Sequence, residues 1–352
     1  MRVLSRWFAA VAVVGSMAMV VSCAPGPPPG PPPPSGSCAG DHWVASWGAA
    51  QTDAAVPIDA TFGPLPVLYS EQTIRNVITP HLGGDKVRLH LTNRYNPASV
   101  TFAAVTIGRS RPDGGVDTPI VVHFGGSGSV TAKPGQDVVS DPVDISFDAF
   151  ESLAVSIHIP LALGQVTKHW NSNATTFITA PGTGDQTSSS SGAPFAHRVE
   201  SWLGVLALDV EAPAGTRAIV TFGDSLTDGW VGTDAASGLD RSVSNQNLRY
   251  PDFLQHRIAD SGLPLSVVNA GLGSNQVLSS IVPFAGPSAV ERFDADVPWF
   301  ASARGVIVFE GINDLGLSHA SAARVIGGLE RIVARARPIG EDPRHRWLEP
   351  DR

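Results

Sequence analysis

Two hydrophobic periods divide the chain. From His42 to about Asp209, short apolar runs are separated by Gly, Pro, Asn and Asp. Lys86-Val-Arg-Leu-His-Leu-Thr92 and Leu153-Ala-Val-Ser-Ile-His-Ile159 alternate apolar and polar residues with the period of a strand. Val100–Ile107 and Ile120–Phe124 are further runs of strand length, and no long helical period appears. The spacing predicts an all-β sandwich or jelly-roll-like domain over residues 41–210, with 182–192 as a polar surface loop. From Gly215 the period changes. Ala218–Phe222, Leu265–Asn269 and Gly305–Glu310 read as strands, and Tyr250–Ser261 as an amphipathic helix with Pro251 in its first turn. Ser321–Arg337 reads as a helix with Val325, Ile326, Leu329, Ile332 and Val333 on one face. Strands alternating with helices predict βαβ units, a parallel sheet, and a ligand site at the carboxyl ends of the strands.

Three polar or glycine-rich segments follow the three strands in turn: Gly223-Asp-Ser-Leu226, Asn269-Ala-Gly-Leu-Gly-Ser-Asn275 and Gly311-Ile-Asn-Asp314. Parallel strands bring all three to one sheet edge. That would place a serine hydroxyl, flexible glycine backbone and an asparagine amide in one cleft, the parts needed for a nucleophile and an oxyanion hole. A serine or aspartate after a strand also caps helices, so the first tetrapeptide alone decides nothing.

Composition narrows the rest. With 352 residues the chain has room for about two domains, and 36 Gly and 29 Pro suit a turn-rich β portion. A net charge of −8 argues against a nucleic-acid partner, which needs a basic face. No metal-ligand spacing occurs, so neither metal nor other cofactor is expected. Arg2 and Arg6 precede an apolar run, 7–21, that is short for a bilayer span, so residues 1–22 read as an export signal. Val20-Val21-Ser22-Cys23 fits a lipoprotein signal with Cys23 lipidated, while Ser22-Cys23-Ala24 fits plain cleavage after small residues. Either route leaves Cys38 without a thiol partner, and the Pro-rich stretch in 23–40 reads as an extended linker. A membrane is implied only through the Cys23 anchor, and the location is exported, at the cell surface or secreted.

The three segments, in this order and α/β context, resemble the blocks of the SGNH/GDSL hydrolases, a family of serine esterases and acylhydrolases. The resemblance covers about Gly215 to Arg337. The start of the β portion, His42-Trp-Val-Ala-Ser-Trp-Gly-Ala-Ala50, resembles the β-rich domain of an exported bacterial subgroup. The resemblance implies a flavodoxin-like parallel-sheet domain over 211–337, with Ser225 as nucleophile and its own N–H as an oxyanion donor. It also implies Asn313 as a side-chain donor. In the second block Gly and Ser are exchanged relative to the family pattern, so Gly273 or the backbone of Ser274 supplies the remaining N–H, with Gly273 preferred. Asn275 either binds its own loop or the substrate.

The family also takes its acid and base from an Asp-x-x-His block near the C-terminus. Asp342-Pro-Arg-His345 matches literally, but the 338–352 tail has no strand pattern and is rich in Arg, Pro and acid. The sequence therefore leads us to expect an α/β domain incomplete at its C-terminus, truncated or frame-shifted. The implied function is ester hydrolysis through an acyl-enzyme on Ser225, acting on a small-molecule or polysaccharide ester. The competing reading is a non-catalytic exported surface protein whose Trp43, Trp47, Trp170 and Trp202 stack on carbohydrate.

Overall fold

The alternation at 86–92 becomes the strand Gly84–Asn93. Val87, Leu89 and Leu91 enter the core, while Arg88 and His90 both meet the buried carboxylate of Asp209 at 2.8 Å. In this computed structural model, which describes residues 41–52, 56–60, 64–230 and 243–340, that strand pairs antiparallel with Val205–Ala212, setting Arg88 opposite Asp209. Val205–Ala212 pairs in turn with His42–Gly48, and Gln136–Val139 and Val143–Phe147 complete a five-stranded sheet. A six-stranded sheet is built around Leu153–Leu163, flanked by Leu68–Ile78 and Ala104–Ser110. The expected run 100–107 is broken at residue 103, giving the strands Val100–Phe102 and Ala104–Ser110.

The change of period after Gly215 is reproduced as a parallel sheet. Among the described residues it has three strands, in the order Leu265–Gly271, Arg217–Gly223, Ala303–Phe309. Gly223 stands opposite Gly271 on one side and Phe309 on the other, so the three strands end level. Five helices accompany them: α1 (Ser225–Asp228), α2 (Tyr250–Asp260), α3 (Ala289–Asp296), α4 (Ile312–Gly316) and α5 (Ala322–Ala336). Of the apolar face read for α5, Val325 and Ile332 are buried. Ile326 and Val333 are 55% and 47% exposed, as are Ile307 (40%) and Phe309 (50%) on the neighbouring edge strand.

A single apolar core runs through both parts, from Val44, Leu89 and Val210 to Phe222, Val268, Phe293 and Phe300. A Cβ on Gly48 would lie 2.3 Å from the Phe300 ring, so the strand His42–Gly48 touches the α/β part directly. Ala45 N donates to Ala301 O at 3.0 Å, Ser302 Oγ to Trp43 O at 2.8 Å, and Arg94 pairs with Asp296 at 3.0 Å. Export signal, Cys23, Cys38, Asp342 and His345 lie outside the described residues. Among those described, no helix is long and apolar enough to cross a membrane.

Candidate functional site

Arg217–Gly223 is the middle strand, and its end delivers Ser225 into α1. The turn needs Gly223, because a Cβ there would sit 2.2 Å from both Phe309 O and Thr227 Oγ1. Asp224 caps α1 by accepting the Leu226 N–H at 2.9 Å. Burial raises its carboxyl above the ordinary range, against the opposing pull of that N–H and of Arg292. Ser225 is partly exposed, and among the described residues neither its Oγ nor its backbone N–H has a hydrogen-bond partner. Both are therefore available to a ligand.

The second block packs against α1 from the side. A Cβ on Gly271 would come 2.3 Å from Asp228 N and 2.7 Å from Thr227 C, so only glycine lets α1 approach this closely. The Gly273 N–H does not point at a substrate space: it donates to Asp228 Oδ2 at 2.9 Å. The Gly273 N–H expected as an oxyanion donor is thus already engaged in this structure, because a buried carboxylate accepts its hydrogen bond. The next residue, Ser274, is partly exposed and left-handed, with φ +61°. Its N–H has no partner among the described residues. Asn275 is buried and wholly engaged by its surroundings, donating to Ala285 O (2.7 Å) and Pro287 O (2.8 Å) and accepting from Arg292 Nε (2.9 Å). Of the two roles left open for Asn275, the loop anchor is the one its contacts fill.

Asn313 opens α4 after the third strand. One amide hydrogen on Nδ2 goes to Asn275 O at 2.8 Å, which fixes the side chain and leaves the second hydrogen free for an oxyanion. Asp314, fully buried, accepts Val277 N at 2.7 Å and Leu278 N at 3.0 Å and so ties the third block to the second.

Behind these segments lies a residue the sequence did not single out. Arg292 of α3, 2% exposed, donates to Gly223 O (2.9 Å), Ala270 O (2.9 Å), Asn275 Oδ1 (2.9 Å) and Asp296 Oδ2 (3.1 Å). Its guanidinium also stands 4.0 Å from the centre of the Phe222 ring. One cation thereby joins the ends of two strands and the second block. Glu310, at the end of the third strand, has a fully buried side chain with its nearest cation at 3.9 Å on Arg292. Burial drives its carboxyl well above the ordinary range, and Asp224 and Asp314 add to the rise.

No histidine hydrogen-bonds Ser225 among the described residues. Histidines of the β portion nevertheless reach the α/β part, two of them to a buried aspartate. His81 lies between Val267 O (2.6 Å) and Asp252 Oδ1 (3.0 Å), and His169 meets Asp228 Oδ1 at 3.0 Å. Nothing in the spacing marks them, since both contacts join residues more than 50 positions apart. The cavity between these pairs is about 30 Å³, too small for an ester substrate. Leu226 and Ile312, which follow the first and third strand ends, are 50% and 59% exposed. Trp47, Trp170 and Trp202 are 4–7% exposed, and Trp47 and Trp202 pack edge to face in the core. They offer no open platform for sugars. Among the described residues no cluster of three or more His, Cys, Asp or Glu is placed to hold a metal ion.

Residues 221–345 match the model of the GDSL-like lipase/acylhydrolase family. None of the curated proteins compared with the chain matches it. Similar solved structures include an SGNH-hydrolase family esterase, AlinE4, at 23% identity and TM-score 0.27, covering 35% of this chain and 55% of that one. A carbohydrate acetylesterase from Sinorhizobium meliloti is 21% identical with TM-score 0.30, covering 34% and 54%. The native M. smegmatis aryl esterase is 20% identical with TM-score 0.30, again covering 34% and 54%. The chain thus spans about half the length of the solved structures it matches. The matched segment contains the Ser225 turn, the second block and the Asn313 turn whose geometry is described above, and over residues 221–345 the chain is similar to the GDSL-like lipase/acylhydrolase family.

Proposed function

We propose that this protein is an exported serine ester hydrolase that works through an acyl-enzyme on Ser225. The observation that supports the reading is the level ending of the three parallel strands, whose following turns carry Ser225, Ser274 and Asn313. In the proposed reaction Ser225 Oγ attacks the ester carbonyl and the alcohol leaves. Water then hydrolyses the acyl-enzyme. The N–H groups of Ser225 and Ser274 and the free amide hydrogen of Asn313 receive the oxyanion. Ser274 replaces Gly273 in this role because its N–H is the one left without a partner.

The base is read as His345 and its acid as Asp342, the literal Asp-x-x-His match at the end of the segment that is similar to the family. The substrate is read as a short acyl ester on a small molecule or a polysaccharide, with Leu226 and Ile312 bordering the acyl group. Export follows from residues 1–22, and attachment to a membrane from lipidation of Cys23.

The test is p-nitrophenyl acetate turnover by the full chain beside Ser225→Ala and His345→Ala. Turnover abolished by both substitutions supports the reading. Turnover that survives Ser225→Ala overturns the assigned nucleophile, and turnover that survives His345→Ala overturns the assigned base. No turnover above the Ser225→Ala background favours the non-catalytic alternative.

A further inference from the structure

Asp228 closes the short helix α1, where an acid has nothing to gain from the helix dipole. Its side chain is 2% exposed, and an ionised carboxylate is costly to bury without partners. Both of its oxygens are accounted for by groups outside α1. Oδ1 faces His169 Nε2 at 3.0 Å, and Oδ2 accepts the Gly273 N–H at 2.9 Å. His169 is itself fixed, with Nδ1 2.7 Å from Ala50 O and Nε2 2.8 Å from Asn171 O.

The neighbours of His169 grip the same region. Asn173 Nδ2 donates to Gly229 O at 2.6 Å, directly after α1. Trp170 stacks between Trp230 (ring centres 5.0 Å apart) and Phe284 (4.7 Å), and its ring lies 3.5 Å from where a Cβ on Gly273 would stand. Residues 169–173 of the β portion thus hold the end of α1 and the turn at Gly273 together.

That turn contains the strained residue of the site. Ser274, with φ +61°, keeps a conformation that L residues avoid, and such a conformation persists only where neighbours dictate it. On one side the dictating contact is Asp228 to Gly273. On the other it is Asn275, locked by Arg292, Ala285 and Pro287.

We propose that His169 and Asp228 are positioning residues: the β portion, through His169, orients Asp228 so that its hydrogen bond to Gly273 aims the Ser274 N–H at the oxyanion. The inference rests on the reading that Ser225 attacks an ester. It makes the β portion a working part of the hydrolase centre, contributing through a side chain that touches neither substrate nor nucleophile.

The experiment compares Asp228→Asn, His169→Gln and the double variant of the full chain, with His81→Gln as control. His81 forms the other histidine–aspartate contact between the two parts but does not touch the Gly273 turn. Asp228→Asn is expected to lower kcat on p-nitrophenyl acetate at least 10-fold with KM within about twofold, the pattern of a contact made only in the transition state. The double variant should lose no more than Asp228→Asn alone, because the two residues act in series. His81→Gln should lower Tm with kcat retained.

Amide hydrogen exchange supplies a readout independent of turnover. Peptides covering 270–276 should exchange at least 10-fold faster in Asp228→Asn and His169→Gln, with the strand Leu153–Leu163 unchanged. If the wild type shows no Ser225-dependent turnover, the proposed function fails and hydrogen exchange alone decides the positioning role. Unchanged exchange at 270–276 overturns the inference, as does a kcat loss no larger than that of His81→Gln. Should His169→Gln fail to fold, the near-isosteric Asp228→Asn carries the test.

Discussion

Replacing Arg292 by methionine should cost this protein about 3 kcal/mol of stability. The guanidinium makes four hydrogen bonds, to Gly223 O, Ala270 O, Asn275 Oδ1 and Asp296 Oδ2, at 2.9–3.1 Å. Bonds to a charged group contribute about 1.5–3 kcal/mol each, but they share one side chain and do not add. Methionine fills most of the volume and keeps contact with Phe222 while leaving four acceptors bare. Removing one partner of a buried charge pair costs about 3–5 kcal/mol. Asp296 retains Arg94 at 3.0 Å, which places the loss at the low end of that range. Total stabilities run to about 5–15 kcal/mol, so the effect is large on that scale. Arg292→Lys keeps the charge but loses the fork, and three donors on one nitrogen cannot reach four dispersed acceptors, so about half the cost should remain. Urea denaturation followed by tryptophan fluorescence reads both variants. A methionine variant within about 1 kcal/mol of wild type, or equal losses for Lys and Met, would refute the view of Arg292 as a four-way tie.

Other outcomes follow from single contacts. Gly271→Ala drives a Cβ into the backbone of α1 at 2.3 Å and should cost about 1–3 kcal/mol, whereas Gly273→Ala, with its nearest atoms at 3.4–3.5 Å, should be tolerated. Thermal melts of the pair decide this, and equal losses would contradict the packing argument. Glu310→Gln should raise Tm more at pH 8 than at pH 4. The folded-state pKa of Glu310 lies above its unfolded value near 4.3, so the wild type loses stability as pH rises past that value and the amide does not. A pH-independent difference would show that Glu310 is not the cause. Asp252 behaves oppositely: burial pushes its carboxyl up, but the His81 hydrogen bond and Arg249 outweigh this and hold it below the usual range. Its contribution is complete above about pH 4 and is lost as pH falls through the depressed folded value. Asp252→Asn should therefore flatten the acid limb of the stability profile, and an unchanged limb would rule out Asp252 as its source.

Much of this was legible in the chain itself. Period-two alternation at 86–92 and 153–159 marked strands, because a half-buried sheet face writes its period into the residues. The strands before Ser225, Asn269–Asn275 and Asn313 were read to within about two residues, since short apolar runs ending in glycine leave few alternatives. Parallel order then placed three separate segments at one edge. Local pattern also misled where a local rule met a distant group. Gly273 looked like the oxyanion donor because its neighbours in sequence said nothing of Asp228, 45 residues earlier.

The sequence alone thus determined the strands, the turn chemistry and the candidate nucleophile, all of which depend on residues within a few positions of one another. Tertiary structure alone decided which N–H is free, where Arg292 and Glu310 sit, and that His81 and His169 cross from the β portion to the α/β part. Those facts depend on burial and on hydrogen bonds between distant segments. A buried polar group must find a partner wherever the packed chain offers one, and no local spacing records where that is.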